Sequence, residues 1–339
     1  MDKLIIEGGK KLTGEVIISG AKNSVLPIMA ATLLTDDACI IKGVPALRDT
    51  NTMLKILRAL GKSADFDKGV VNISSTAKKS FVADYKLVST MRASFCVLGP
   101  LLGVYKKAKV SLPGGCIIGS RPVDLHLKGL RALNADISID AGYVVAKAEN
   151  LRGAQMYLGG VYGSSVLATD NVMMAAVLAK GRTVIECAAC EPEVADLAEF
   201  LIKMGAKIKG HGTPTIEIEG VRRLHGAMHS IIPDRIEAGT MMLAALITGG
   251  DITLKNVLPQ HLGALIDKLQ EAGAAIAKTE DSIRIRNNIK LRPINVTTLP
   301  YPGFPTDMQA QVMALMTITP GISVITEKSV RTGLCTSRS

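Results

Sequence analysis

The sequence predicts an α/β protein of two similar domains, built from repeated strand-helix-strand-helix-strand units around a helical core. Two observations carry this. The chain can be laid against itself at intervals of about seventy residues, and a repeated two-layer unit cannot bury its apolar face alone, so several must pack together. Composition agrees: 47% of the 339 residues are hydrophobic but only 3% are aromatic, with no Trp and 32 Gly. Such a core is assembled from Leu, Ile, Val, Ala and Met in closely packed layers, and the length suffices for two domains.

Residues 11–60 open with the strand-like alternation K-L-T-G-E-V-I-I-S-G. An apolar helix ending L-P-I-M-A-A-T-L-L follows, then a strand C-I-I-K-G-V and a second helix T-M-L-K-I-L-R-A-L-G-K. Residues 150–208 repeat the plan with N-L-R-G-A-Q-M-Y-L, N-V-M-M-A-A-V-L-A, T-V-I-E and V-A-D-L-A-E-F-L-I-K-M-G-A. It returns in 223–276 as R-L-H-G…H-S-I-I, M-M-L-A-A-L-I, I-T-L-K-N-V and L-G-A-L-I-D-K-L-Q-E-A-G-A. Leu12, Leu151 and Leu224 mark the shared openings, and further copies fit at 82–138 and 296–325. Three units per domain leave the sequence inside its fifth copy.

The charge and thiol inventory narrows the function. A formal net charge of +10 fits a basic cleft for a small anionic substrate. Its scattered lysines and arginines, without interleaved aromatics, argue against a nucleic-acid partner. The longest apolar runs, such as Met241 to Thr248, are too short for a membrane span. An acidic N-terminus without a secretory signal, together with six thinly spread cysteines, predicts reduced thiols in a cytoplasm. Cys187-x-x-Cys190 lacks the second pair that a structural zinc site wants, and His211, His225, His229 and His261 show no ligand spacing. No metal is expected. Cys116 differs from an ordinary buried thiol. It lies in S-L-P-G-G-C-I-I-G-S-R-P-V-D (111–124), a glycine-rich loop that also carries a fixed positive charge, Arg121.

That loop, continued by L-H, resembles the active-site loop of the UDP-N-acetylglucosamine 1-carboxyvinyltransferases, enolpyruvyl transferases of peptidoglycan precursor synthesis. The resemblance continues in G-E-V-I-I-S-G-A-K-N-S-V-L-P (14–27), T-M-R-A-S (90–94) and E-P-E-V-A-D (191–196). It also covers I-I-P-D-R-I-E-A-G-T (231–240) and Y-P-G-F-P-T-D-M-Q-A-Q (301–311), reaching nearly everything from residue 1 to about 327. It implies two inverse α/β domains, one of residues 1–21 plus 231–339 and the other of 22–230. The sister family, the 3-phosphoshikimate 1-carboxyvinyltransferases, would not place a cysteine in this loop. A non-catalytic UDP-sugar-binding descendant is the other alternative.

The implied reaction passes the enolpyruvyl group of phosphoenolpyruvate to the 3-hydroxyl of UDP-N-acetylglucosamine and releases phosphate. It requires a proton for the methylene carbon, a base for the hydroxyl, and cations for phosphate and carboxylate. The resemblance implies Cys116 as the acid and Asp307 as the base. Asp307 also reads as a cap for the apolar helix after it. By the same resemblance Lys22 and Asn23 hold phosphoenolpyruvate and the sugar, and Arg92 and Arg121 clamp the anionic groups. Pro122, Val123, Asp124 and Leu125, with Ser165 and Val166, are implied nucleotide contacts. His126 is expected to brace the loop, and Asp49, Glu191, Asp234, Arg235 and Glu237 to support the site or the domain contact. A cytoplasmic monomer without metal or organic cofactor is expected.

The sequence leaves the family pattern twice. Where the family reads S-V-G-A-T, residues 160–169 read G-V-Y-G-S-S-V-L-A-T, a longer loop with Leu167 in place of a glycine, which predicts an altered backbone path beside the nucleotide. At the end, a one-base shift of codons for the family's N-R-F-M-H-V-P-E yields T-G-L-C-T-S-R-S, the residues Thr332 to Ser339. The expectation is a frameshift that removes the sixth unit and a family arginine where Arg331 stands. That leaves the chain nearly inactive and Cys335 without function. Sequencing the coding DNA through this region tests it, and an intact frame with unrelated codons refutes it.

Overall fold

The computed structural model describes residues 3–113, 123–287 and 290–329. They divide into two compact units, one of residues 3–19 and 233–328, the other of 20–232.

The chain runs in order through β1 (Thr13–Ile17), α1 (Lys22–Ala31), β2 (Cys39–Lys42), α2 (Arg48–Ala59), β3 (Lys62–Asp67) and β4 (Val70–Ser75). Next come β5 (Val82–Ala83), α3 (Tyr85–Val88), α4 (Leu98–Tyr105), β6 (Lys107–Ser111), α5 (Asp124–Ala132), β7 (Asp136–Asp140) and β8 (Tyr143–Lys147). They are followed by β9 (Gln155–Tyr157), α6 (Val166–Ala176), β10 (Arg182–Glu186), α7 (Pro192–Lys203), β11 (Lys207–Lys209), β12 (Thr215–Glu219) and β13 (Met228–Ser230). The remainder is α8 (Arg235–Ile247), β14 (Asp251–Lys255), α9 (Gly263–Glu271), β15 (Ala275–Lys278), β16 (Ser282–Arg286), β17 (Val296–Thr297), α10 (Gln309–Thr317) and β18 (Ile325–Thr326).

In the 20–232 unit three four-stranded sheets form, in the orders β13-β2-β4-β3, β5-β6-β8-β7 and β11-β12-β10-β9. Each joins one parallel pair to an antiparallel hairpin. The expected unit had three strands; the structure adds a fourth, because the last strand turns back as a hairpin. Lys68 (φ 43) and Gly69 (φ 78) make that turn between β3 and β4, and Ala141 and Gly142 make it between β7 and β8. Helices α1 and α6 are apolar almost all round and bury eight and nine residues respectively, so they sit inside with α4. Helices α2, α5 and α7 keep one polar face outward.

The opening strands are exchanged. The strand that precedes α1 in the chain, β1, pairs in parallel with β14 in the other unit, whose sheet runs β1-β14-β16-β15. The first sheet of the 20–232 unit takes its parallel partner from β13, nearly two hundred residues after β2. In the 3–19 and 233–328 unit, α8 and α9 cover the sheet, and Met242, Leu246, Ile252, Leu265 and Ile283 are among its core residues. The pair β17-β18 lies with α10 in that same unit.

Candidate functional site

Lys22 and Asn23 occupy the first turn of α1, half-buried and exposed respectively, while the next eight residues are buried. The N-cap is Ala21, which offers no side-chain acceptor to the free N–H groups of that turn. Lys22 Nζ lies 3.5 Å from an Asp49 carboxylate oxygen on α2, with both side chains partly exposed. A pair in that setting is worth about 0–1 kcal/mol.

Arg92 begins a 3₁₀ turn, Arg92–Val97, that runs into α4. Its charge reaches His126 on α5, which is 2% exposed. Burial, and then the Arg92 charge, pushes the His126 imidazole down to about 3. Asn171 Nδ2 lies 2.9 Å from His126 Nδ1 and 3.0 Å from the Phe95 carbonyl, while Asn171 Oδ1 accepts from Gly99 N at 2.7 Å. The amide donates to Nδ1, so the neutral ring carries its proton on Nε2. The Phe95 ring meets the imidazole edge-on at 5.1 Å. The histidine is therefore a rigid neutral brace at the start of α5. Asn171, which holds it, gave no sequence signal because it lies forty-five residues away on an apolar helix.

Val123 is the N-cap of α5 and Asp124 its first residue. Leu125 packs against Gly160, where an added Cβ would stand 3.1 Å from its side chain. Gly160 and Gly163 exchange backbone hydrogen bonds of 2.8 and 3.1 Å, closing a tight turn with Val161 92% exposed at its tip. Ser165 caps α6, accepting from Ala168 N at 3.4 Å, and Val166 starts the helix. Leu167 lies in that helix and packs partly on the core. Leu167 thus takes an ordinary helical position, one that needs no glycine.

Glu191 stands at the N-cap position of α7 and Glu193 in its first turn. Opposite them Asp170 on α6 is 1% exposed, and neither of its carboxylate oxygens has a hydrogen-bond partner among the described residues. Burial, followed by the charges of Glu191 and Glu193, drives its carboxyl well above the usual carboxylate range. Cys116, Arg121 and Pro122 lie outside the described residues, as do Arg331 and Thr332 to Ser339. Of the other thiols, Cys39 and Cys96 are buried, and burial raises both. Among the described residues no group of three or more His, Cys, Asp or Glu is placed to hold a metal.

In the other unit Asp307 is exposed on a 3₁₀ turn, Thr306–Met308, directly before α10. It caps nothing. The N-cap position of α10 belongs to Met308, which supplies no side-chain hydrogen bond. The turn is held from the side, because Glu327 Oε2 accepts from Thr306 Oγ at 2.8 Å and Glu327 Oε1 from Thr298 Oγ at 2.6 Å. Asp234 caps α8, accepting from Ile236 N at 2.8 Å and Glu237 N at 3.0 Å. Glu237 accepts from Ser19 N at 2.9 Å, fastening the segment after β1 to the start of α8. Arg235 is buried and stacks over the Tyr301 ring at 5.5 Å. The two residues line a small cavity of about 50 Å³ with Pro305 and Met308.

A family model for EPSP synthase (3-phosphoshikimate 1-carboxyvinyltransferase) matches residues 6–331. The UDP-N-acetylglucosamine 1-carboxyvinyltransferase of Geotalea uraniireducens (strain Rf4) is 54% identical over 327 residues, 96% of this chain and 78% of the relative. The enzyme of that name from Methylacidiphilum infernorum (isolate V4) is 53% identical, over 96% of this chain and 77% of its own. Among solved structures, the enolpyruvyl transferase NikO from Streptomyces tendae superposes with a TM-score of 0.84 at 22% identity, over 95% of this chain and 77% of that one. EPSP synthase from Acinetobacter baumannii superposes at 0.69 and 21% identity, over 95% and 75%. These two establish the fold alone. Among the described residues no helix is long and apolar enough to cross a membrane. With the family model spanning almost the whole chain and relatives above half identity, the chain belongs to the EPSP synthase family of enolpyruvyl transferases, on the side of the UDP-N-acetylglucosamine 1-carboxyvinyltransferases.

Proposed function

We propose that the protein transfers the enolpyruvyl group of phosphoenolpyruvate to the 3-hydroxyl of UDP-N-acetylglucosamine and releases inorganic phosphate, a step of peptidoglycan precursor synthesis. The identity of 54% to a relative of that name over 96% of the chain carries the reading. In the addition step the sugar oxygen bonds to C2 of phosphoenolpyruvate while C3 takes up a proton. Elimination then breaks the C2–O bond to phosphate and removes a proton from C3, restoring the double bond. No electrons are exchanged with a cofactor, and the chemistry asks only for an acid, a base and cations. Cys116 is assigned the acid, Asp307 the base, and Lys22, Arg92 and Arg121 the anionic groups. Asn23 is assigned the sugar, and Val123 to Leu125 with Ser165 and Val166 the nucleotide. The protein is placed in the cytoplasm as a monomer. Phosphate release that requires both substrates is the expected result for the chain with its reading frame restored, and shikimate-3-phosphate serving as the acceptor overturns the assignment.

A second test reads the thiols. Fosfomycin, an epoxide whose phosphonate resembles the phosphate of phosphoenolpyruvate, should alkylate Cys116 first. Burial holds the Cys39, Cys96 and Cys190 thiols above their ordinary value, which leaves little thiolate to attack. Peptide mapping at partial inactivation checks the order, and a first adduct on another cysteine removes Cys116 from its role. Cys116→Asp should keep turnover and resist the epoxide, because a carboxyl can also carry the proton.

A further inference from the structure

The first turn of α1 carries Lys22 and Asn23 but has no capping side chain of its own. What holds it comes from α7. The Asp196 carboxylate, 6% exposed, accepts the hydroxyl of Ser24 through Oδ2, and the same oxygen lies 3.4 Å from Ile232 N. Its other oxygen, Oδ1, is 2.8 Å from His229 Nε2, and His229 Nδ1 is 3.0 Å from Lys203 Nζ. An ammonium group can only donate, so Nδ1 accepts from Lys203 and Nε2 carries the proton given to Asp196. The chain of bonds thus has one direction, from the Lys203 cation through a neutral imidazole to the Asp196 anion. Its far end closes on the start of α1. His229 is 4% exposed and meets the Phe200 ring edge-on at 5.6 Å, so the imidazole has no room to turn. A negative charge beside an uncapped helix N-terminus is favourable in its own right.

The hub also gathers both places where the chain leaves this unit. Ala21 N donates to the Ile232 carbonyl at 2.8 Å, and the unit ends at residues 20 and 232. We infer that Asp196 is a positioning residue, oriented by His229 and Lys203, that fixes the α1 turn bearing Lys22 and Asn23 for the anionic substrate. This rests on the substrate-binding role proposed above for those two residues. The pattern is specific to a carboxylate. An amide places an NH2 donor where one of the two oxygens stands, so it cannot accept from His229 at one position and from Ser24 and Ile232 N–H at the other.

Asp196→Asn and Ser24→Ala in the chain with its reading frame restored test it, the second removing a single hydroxyl with little risk to folding. In each variant KM for phosphoenolpyruvate should rise about tenfold while kcat at saturation stays within about twofold, the signature of a displaced binding group. A merely structural role would lower the active fraction, hence kcat, and leave KM alone. Hydrogen exchange at the amides of residues 22–26 should quicken about tenfold in both variants. An unchanged KM with active wild type overturns the positioning role, and unchanged exchange overturns the anchor. If the frame-restored parent itself fails to turn over, the proposed reaction is lost, and the exchange comparison still decides whether Asp196 holds the turn.

Discussion

Asp307→Asn, made in the chain with its reading frame restored, should lower kcat by about 10²–10⁴-fold, the range a general base contributes, while the folded protein stays as stable as before. Both halves follow from where Asp307 stands. It is exposed and neither caps a helix nor pairs with any described residue, so its loss removes no contact on which folding depends. Its main chain is nonetheless held, because Thr306 beside it is tied through Glu327 to Thr298. A fixed backbone with an unoccupied carboxylate is what a base needs before its substrate arrives. Asparagine keeps the shape and cannot take the hydroxyl proton. Steady-state phosphate release and a thermal melt on the same preparation check it. Turnover within threefold of wild type would remove Asp307 from the chemistry, and a large fall in melting temperature would mean the side chain is structural. Thr306→Val gives a graded control, because it loosens the turn without touching the carboxylate and should cost less.

The repeated units were readable because each pairs a helix apolar all round with an amphipathic one, and those two patterns survive in the sequence. In α1 and α6 buried positions run almost all round the helix, whereas α2 and α7 alternate at helical spacing. The closing hairpin strands were less readable, being short and half polar, as in Lys207–Lys209. The exchange of β1 and β13 between sheets leaves no mark in periodicity, since either strand satisfies the same parallel edge. The motif residues Lys22, Arg92 and Asp307 were found through resemblance, not through pattern, because a charge beside an apolar helix is ordinarily a solvated one. The contacts behind them were not readable at all. Ser24 meets Asp196 across 172 residues, and Asn171 meets His126 across 45. Such pairs exist only once the core has closed, and in sequence each partner is one more polar residue on a helix.

Asp170→Asn should stabilise the protein at pH 8 by about 1–3 kcal/mol, the usual cost of a buried polar group left unsatisfied, with a larger share where the carboxyl would be charged. Asp170 is buried on α6 with both oxygens unpartnered, and it faces Glu191 and Glu193 with no cation among the groups that shift it. The folded state therefore holds its proton more tightly than the unfolded chain, whose aspartate titrates near 3.9. With the folded value raised, the penalty is absent below the unfolded pKa, where both states are protonated. It grows as pH rises from there toward the folded value and is constant above it. Asparagine carries no titrating proton, so its advantage should shrink as pH falls from 8 toward 4. Thermal melts of both proteins across that range measure the slope. An advantage that persists undiminished at pH 4 would mean that Asp170 does not titrate with folding. A loss of stability at pH 8 would mean that the carboxylate has a counter-charge in the folded protein and is held ionised. In a helix packed as tightly as α6 against α4, where Gly99 leaves no space for a Cβ beside the Asn171 carbonyl, there is little room for water to reach the group.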